Sequence, residues 1–133
     1  MSDQPQADQP PRDREPAIRT IAMPADANAS GDIFGGWMMS QMDMAGGVAA
    51  VGRAKGRVVT VAVEAMTFHR PVLVGDLVSC YAEVVRVGRT SLSVRIDAWV
   101  ERRIGGEAER VTSGTFTYVA VDAARKPRLV PAD

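Results

Sequence analysis

Asp43 and the pair Gly35–Gly36 are the residues whose types and spacing could do chemistry. They lie in one stretch, ASGDIFGGWMMSQMDMAGG, residues 29–47. Asp43 sits between Met42 and Met44, and on a helix its same-face neighbours are Met39, Ser40, Gly46 and Gly47. A carboxylate in apolar surroundings is costly unless it is paired or hydrogen-bonded. It is therefore either a structural group, bonded to backbone, Gln41 or Ser40 or facing out on a narrow polar stripe, or an acid, base or nucleophile in a pocket wall. Gly46 and Gly47, one turn on, would leave room for a ligand. Gly35 and Gly36 fall where a helix should start, although glycine costs a helix roughly 1 kcal/mol against alanine. The first N–H groups of a helix have no partner inside it and carry partial positive charge. Glycines there would let a substrate oxygen approach, which makes an oxyanion hole for acyl transfer. The plainer alternative is close packing.

Distance links the two features. Gly35 and Asp43 are eight residues apart, or roughly 12 Å along a helix. A donor to a carbonyl oxygen and a carboxylate working on that carbonyl or its water must lie within about 3–4 Å of the same few atoms. One helix does not easily supply both. Two helices facing each other across a two-fold axis can, with Gly35 of one copy meeting Asp43 of the other.

Other chemistries are poorly supplied. Cys80 is the single cysteine and His69 the single histidine, so neither an internal disulfide nor a zinc site of several Cys and His ligands can form. Cys80 lies in an alternating apolar run and reads as a small buried hydrophobe. Lys plus Arg and Asp plus Glu are both 16, a formal net charge of zero, which argues against nucleic acid or membrane partners recruited by bulk charge. Lys55 and Lys126 are the only lysines; the arginines suit phosphate or carboxylate contacts, or reflect codon bias. Without an apolar leader or a run of about 20 apolar residues, a reducing, cytoplasmic setting is expected.

The elements that must position these residues follow from punctuation and period. Residues 1–16, polar and proline-rich, are expected to be a disordered tail. The run AIRTIAM (17–23) suits a first strand ended by Pro24, and ADANASGD is a loop. A helix is expected from about Gly35 to Arg53, apolar on nearly every side and so largely buried. Period two then takes over: strands at 57–68, 77–87, 90–103 and 109–122, with 70–76 a connection and 123–133 a tail. Along TSLSVRIDAWV, Leu92, Val94, Ile96, Ala98 and Val100 point one way and Ser93, Arg95, Asp97 and Trp99 the other. The expectation is one α+β domain over 17–122, with a helix followed by four strands in meander-like succession. Either the sheet curves strongly around the helix or a second subunit covers part of it.

Three blocks, IAMPADANASGDIFGGWMMSQMDMAGG, GRVVTVAVEAMTFHRPVLVGD and VGRTSL, resemble the YciA-like acyl-CoA thioesterases of the hotdog fold. The resemblance runs from about Arg19 to about Pro131. It implies a long central helix wrapped by a curved antiparallel sheet, dimers that assemble further into a trimer of dimers (a hexamer), and hydrolysis of acyl-CoA to acid and CoA, a reaction of fatty acid metabolism, with no metal or organic cofactor. Carried over by position, Asp43 is the catalytic carboxylate and Gly35 and Gly36 are the amide donors, while Asn28 orients the thioester or a water. Gly88, Arg89, Thr90 and Ser91 match a stretch near the CoA phosphates, with Arg57 and Arg70 as further candidates. Three positions stand out: Ser30 stands where Asn is expected, His69 where relatives more often carry an apolar residue, and Phe34 where the related HGG thioesterases carry histidine.

The implied chemistry has Gly35 N–H polarise the carbonyl while Asp43 activates water or attacks to form an anhydride. The sequence leaves both open. Rival readings are a hotdog hydroxyacyl dehydratase, which usually wants a histidine beside the carboxylate; a non-catalytic acyl-CoA-binding or regulatory module; and a structural oligomerisation domain.

Overall fold

The structure is a computed structural model that describes residues 9–133; the expected tail thus lies outside it up to position 8. Among the described residues, five strands and one long helix make up the fold: β1 (Ile18–Ile21), α1 (Gly35–Ala54), β2 (Val58–Phe68), β3 (Leu77–Val87), β4 (Ser91–Glu101) and β5 (Ala108–Ala120). A 3-10 turn, Pro24–Asp26, precedes the helix. Each strand pairs antiparallel to its neighbours in the order β1-β3-β4-β5-β2, and α1 packs against all five.

The order corrects one expectation. β3, β4 and β5 are a meander, but β2 is not beside β3. It lies across the sheet, paired with β5 from Val58↔Ala120 to Phe68↔Thr112. Residues 69–76 are a crossover rather than a turn. Alternation reports which face a strand buries, not which neighbour it bonds. The sheet is not closed: β1 and β2 each leave one edge unpaired.

Period three to four sets the buried face of α1. Met38, Met42, Ala45, Gly46, Ala50 and Ala54 are buried; Met38, Met42, Ala45 and Ala50 cluster with Val94, Ile96, Phe116 and Tyr118 of the sheet, and Ala54 with Leu92 and Ala120. The helix is not buried all round. Met44, Val48 and Val51 are 49%, 57% and 44% exposed, and their spacing puts them in one stripe. β2 shows the same excess, with Val59, Val61 and Val63 exposed along the unpaired edge. Both features fit the second of the two options above, a partner covering what the sheet does not.

In β4 the inward residues Leu92, Val94, Ile96, Ala98 and Val100 are buried as expected. Trp99 is buried too, although it points the other way. Pro10 lies against it together with Tyr81 and Ser79. The chain beyond β5 folds back along the domain: Arg128 N–H donates to Ala120 O, Val130 N–H to Arg89 O, and Arg53 Nη1 to Pro131 O.

Candidate active site

Two separate clusters gather the candidate residues within one protomer. The first is a cavity of about 400 Å³ under the N-terminus of α1, whose lining includes Asn28, Gly35, Met38, Phe68, Val72 and Thr112. Local sequence builds it. Asn28 Oδ1 accepts the backbone N–H of Ser30 (2.9 Å) and of Asp32 (3.1 Å), an Asx-type turn. Two N–H donors fix which end of the carboxamide faces them, so the Asn28 NH₂ is left for another partner. Gly31, with φ +93°, takes the positive φ that the turn requires. Ile33 N–H then donates to Val72 O and Phe34 N–H to Asp26 O, which aims the start of the helix over the cavity. Phe34 provides no side-chain cap, so the Gly35 and Gly36 amides stay uncovered. A Cβ on Gly35 would stand 3.3 Å from the Phe68 ring, whereas one on Gly36 would meet open space.

The crossover forms the other wall, and an ion pair between a buried carboxylate and a half-exposed guanidinium holds it. Asp76 is 1% exposed; its carboxylate accepts Arg102 Nε at 3.1 Å and Nη2 at 3.1 Å, and the Leu73 N–H at 2.9 Å. Arg102 Nη2 also donates to Pro71 O. His69, Arg70, Pro71 and Val72 thus line the cavity from a braced segment. His69 Nε2 is 3.0 Å from Ser113 Oγ. Arg70 pairs with Glu109, which also holds Arg102.

The second cluster surrounds Asp43. Its Oδ1 accepts the Thr60 hydroxyl at 2.8 Å, and the Tyr118 hydroxyl lies 3.1 Å from Oδ1 and 2.9 Å from Asp43 O. Burial first, then the Asp43 charge, pushes the Tyr118 phenol above its ordinary 10.0, so it stays a donor. These partners come from β2 and β5, not from Ser40 or Gln41. Ser40 instead bonds the Trp37 carbonyl. The room expected at Gly46 is filled: a Cβ there would stand 2.2 Å from the Tyr118 hydroxyl and 2.9 Å from Ile96 Cδ1. Gly46 is the gap through which Tyr118 reaches Asp43. Gly47 does face open space.

Asn28 and Gly35 are therefore brought together, and Asp43 stands apart from them. The expected phosphate-side residues divide as well. Thr90 O accepts the Ala120 N–H, Arg57 O accepts the Val121 N–H, and Gly88 N–H donates to Ser91 O at 2.8 Å. Arg57, Gly88, Arg89, Thr90 and Ser91 share the end of the sheet where Ser91 pairs with Val119. Arg70 lies at the other end, beside Thr112. From Thr112 to Val119 is seven residues of β5, roughly 23 Å. Cys80 is fully buried, and burial pushes its thiol up to about 12, which rules out a ready thiolate. Among the described residues no cluster of three or more His, Cys, Asp or Glu could hold a metal, and no helix is long and apolar enough to cross a membrane.

Sequence reasoning missed Thr60, Tyr118 and Thr112. The first two sit in alternating strands, where a Thr or Tyr carries no sign of its partner. Thr112 is fully buried and its Oγ1 meets no hydrogen-bond partner.

A long helix cradled by a curved antiparallel sheet, with an uncovered glycine-led N-terminus and a mid-helix carboxylate, defines the hotdog class of thioesterases. The family model "Thioesterase superfamily" matches residues 30–106. Escherichia coli acyl-CoA thioester hydrolase YciA is 55% identical over 119 residues, 87% of this chain and 90% of that protein. Among solved structures, the hexameric thioesterase y2039 of Yersinia pestis superposes with a TM-score of 0.86 at 53% identity, over 92% of this chain and 99% of the other. An aspartate-to-alanine mutant of HI0827, a hexameric broad specificity acyl-coenzyme A thioesterase, gives 0.85 at 48% identity, over 89% and 87% of the two chains. The chain belongs to the thioesterase superfamily, in the group that contains YciA.

Proposed function

We propose that this protein hydrolyses acyl-CoA thioesters to the free acid and CoA, in sites that each draw on two copies of the chain. One observation carries the reading. The cavity under the bare helix N-terminus and the carboxylate at Asp43 each look half built, and they lie eight residues apart on one helix. The exposed stripe on α1 and the open edge of β2 give a second copy somewhere to dock. Facing helices would bring Asp43 of one copy to Gly35 of the other. The relatives described as hexameric support assembly of such pairs, and a trimer of dimers is the form we propose.

In this site the Gly35 N–H, aided by the Asn28 NH₂, polarises the thioester carbonyl. Both hydroxyl contacts of the Asp43 carboxylate fall on Oδ1, so Oδ2 is turned to the reaction. As a general base it takes a proton from water, whose oxygen adds to the carbonyl carbon; collapse then breaks the C–S bond and releases the thiolate of CoA. As a nucleophile it would form the mixed anhydride first. A thiolate leaves without a strong general acid, which suits a site whose one histidine bonds Ser113. No metal or organic cofactor is needed for either route. CoA itself would extend toward the Arg57 and Gly88–Ser91 end of a neighbouring copy, and a reducing cytoplasm suits the single buried thiol.

Thiol release from acyl-CoAs, acetyl to palmitoyl, tests this. Wild type should turn over, and Asp43→Asn, folded alike, should be at least about a hundredfold slower in kcat. Equal rates would make Asp43 structural; CoA binding with no thiol release from wild type would favour a binding module.

A further inference from the structure

Gly35 and Gly36 are not glycine for the same reason. Neither has a positive φ, so the helical backbone there suits any residue. A Cβ on Gly36 would meet open space, whereas one on Gly35 would stand 3.3 Å from Phe68 Cζ and 3.4 Å from Cε1. The far edge of the Phe68 ring crowds the place that a side chain at 35 would take. Phe68 is not a core aromatic: it is 51% exposed and lines the cavity together with Gly35. The end of β2 is shaped to aim it. Between Glu64 and Thr67 the strand sets two residues, Ala65 and Met66, against Gly114 of β5. In this bulge Ala65 takes φ +52°, a left-handed conformation rare for L residues. A strand one residue shorter there would turn Phe68 to the opposite face. Just beyond the ring, the His69 and Arg70 N–H groups both donate to Val111 O, at 2.7 and 3.2 Å, which pins the backbone.

We propose, resting on the acyl-CoA reading above, that Phe68 is a positioning residue for the oxyanion donor: its ring, seated against the bare face of Gly35, keeps water off the Gly35 N–H and fixes the side from which the thioester carbonyl approaches. A helix start is ordinarily capped by a side-chain oxygen that takes up its N–H groups. Here the side chains beside the Gly35 amide are Phe34 at the N-cap position and Phe68, and a phenyl ring offers no oxygen or nitrogen acceptor. Phe68 walls the donor without consuming it. A fixed donor stabilises a developing oxyanion more strongly where water is excluded. The contact is at the carbonyl, which every acyl-CoA shares, so the effect does not depend on the acyl chain.

The experiment measures kcat and KM of the full chain on acetyl-, butyryl- and palmitoyl-CoA for wild type, Phe68→Ala, Phe68→Leu and Phe68→Tyr, with assembly checked by sedimentation. Phe68→Ala should lower kcat about tenfold, less than the roughly 10²–10³ that follows loss of a donor outright, by a similar factor on all three substrates and with little change in KM. Phe68→Leu keeps an apolar wall and should stay within about threefold of wild type. Phe68→Tyr keeps the ring but bonds an oxygen to Cζ, the atom nearest Gly35, where it competes for the N–H; its kcat should fall below that of Phe68→Leu. Three results overturn the proposal: an unchanged kcat in Phe68→Ala, a loss that grows from acetyl to palmitoyl, as a wall of the acyl channel would give, or Phe68→Tyr at least as fast as Phe68→Leu, as aromatic packing alone would give. Should Phe68→Ala fail to fold or assemble, the order of the Leu and Tyr variants decides. Wild-type turnover with any of these three results sinks this inference alone; no thiol release by wild type from any of the substrates sinks the hydrolase reading with it.

Discussion

Asp43 is held by two hydroxyls far from it in sequence, 17 residues away at Thr60 and 75 at Tyr118. That explains why the carboxylate stood out in the chain while its partners did not. A charge among methionines is visible in one line of sequence; a Tyr in an alternating strand looks like any core aromatic. Removing the second hydroxyl should loosen the carboxylate without removing it. Tyr118→Phe is expected to lower kcat about tenfold with little change in KM, read from initial rates of thiol release. The same phenol sets an alkaline limit on stability. Its folded pKa is raised above 10.0, so the folded state holds the proton more tightly than the unfolded chain. That contribution is complete below pH 10 and is lost as pH rises above it. Cys80, raised from 9.0 to about 12 by burial, acts with the same sign. Urea midpoints measured from pH 9 to 11 should fall for wild type and fall less for Tyr118→Phe.

The helix and strands were legible because hydrophobic period is a local signal. α1 was expected to end at Arg53 and ends at Ala54, and the 77–87 strand has the expected bounds. Sheet order was not legible, because β2 and β5 recognise each other across the whole meander and nothing in β2 alone names its partner. Nor was the function of Gly46, whose meaning depends on what faces it. The helix approaches the sheet closely enough for Tyr118 to reach Asp43 only because position 46 lacks a side chain. Gly46→Ala, which would raise intrinsic helix propensity, should therefore destabilise. Overpacking of this kind typically costs about 1–3 kcal/mol, and Tyr118 would be pushed from Asp43. A lowered urea midpoint together with a lowered kcat is the expected pair of results. A more stable variant would show that the sheet yields.

At the scale of the molecule, the exposed valines of β2 and the stripe Met44, Val48 and Val51 need a cover that one chain does not supply. The sequence hinted at this through a helix too apolar for one sheet, and through a Gly35–Asp43 spacing too long for one substrate. The arrangement of copies is a property of no single chain and stayed out of reach. A lysine on an open strand edge opposes pairing with another copy, so Val61→Lys should yield a smaller species by analytical ultracentrifugation, with activity lost in parallel. The most direct test of a shared site mixes two defective proteins. Gly35→Pro removes the amide donor at a helix position that tolerates proline; Asp43→Asn removes the base. Each alone should be nearly inactive. After co-refolding in equal amounts, half the pairs are mixed and each mixed pair regains one site of two, so about a quarter of wild-type activity should return. Activity no higher than that of either parent, in mixtures shown to contain mixed pairs, would contradict a site built from two copies.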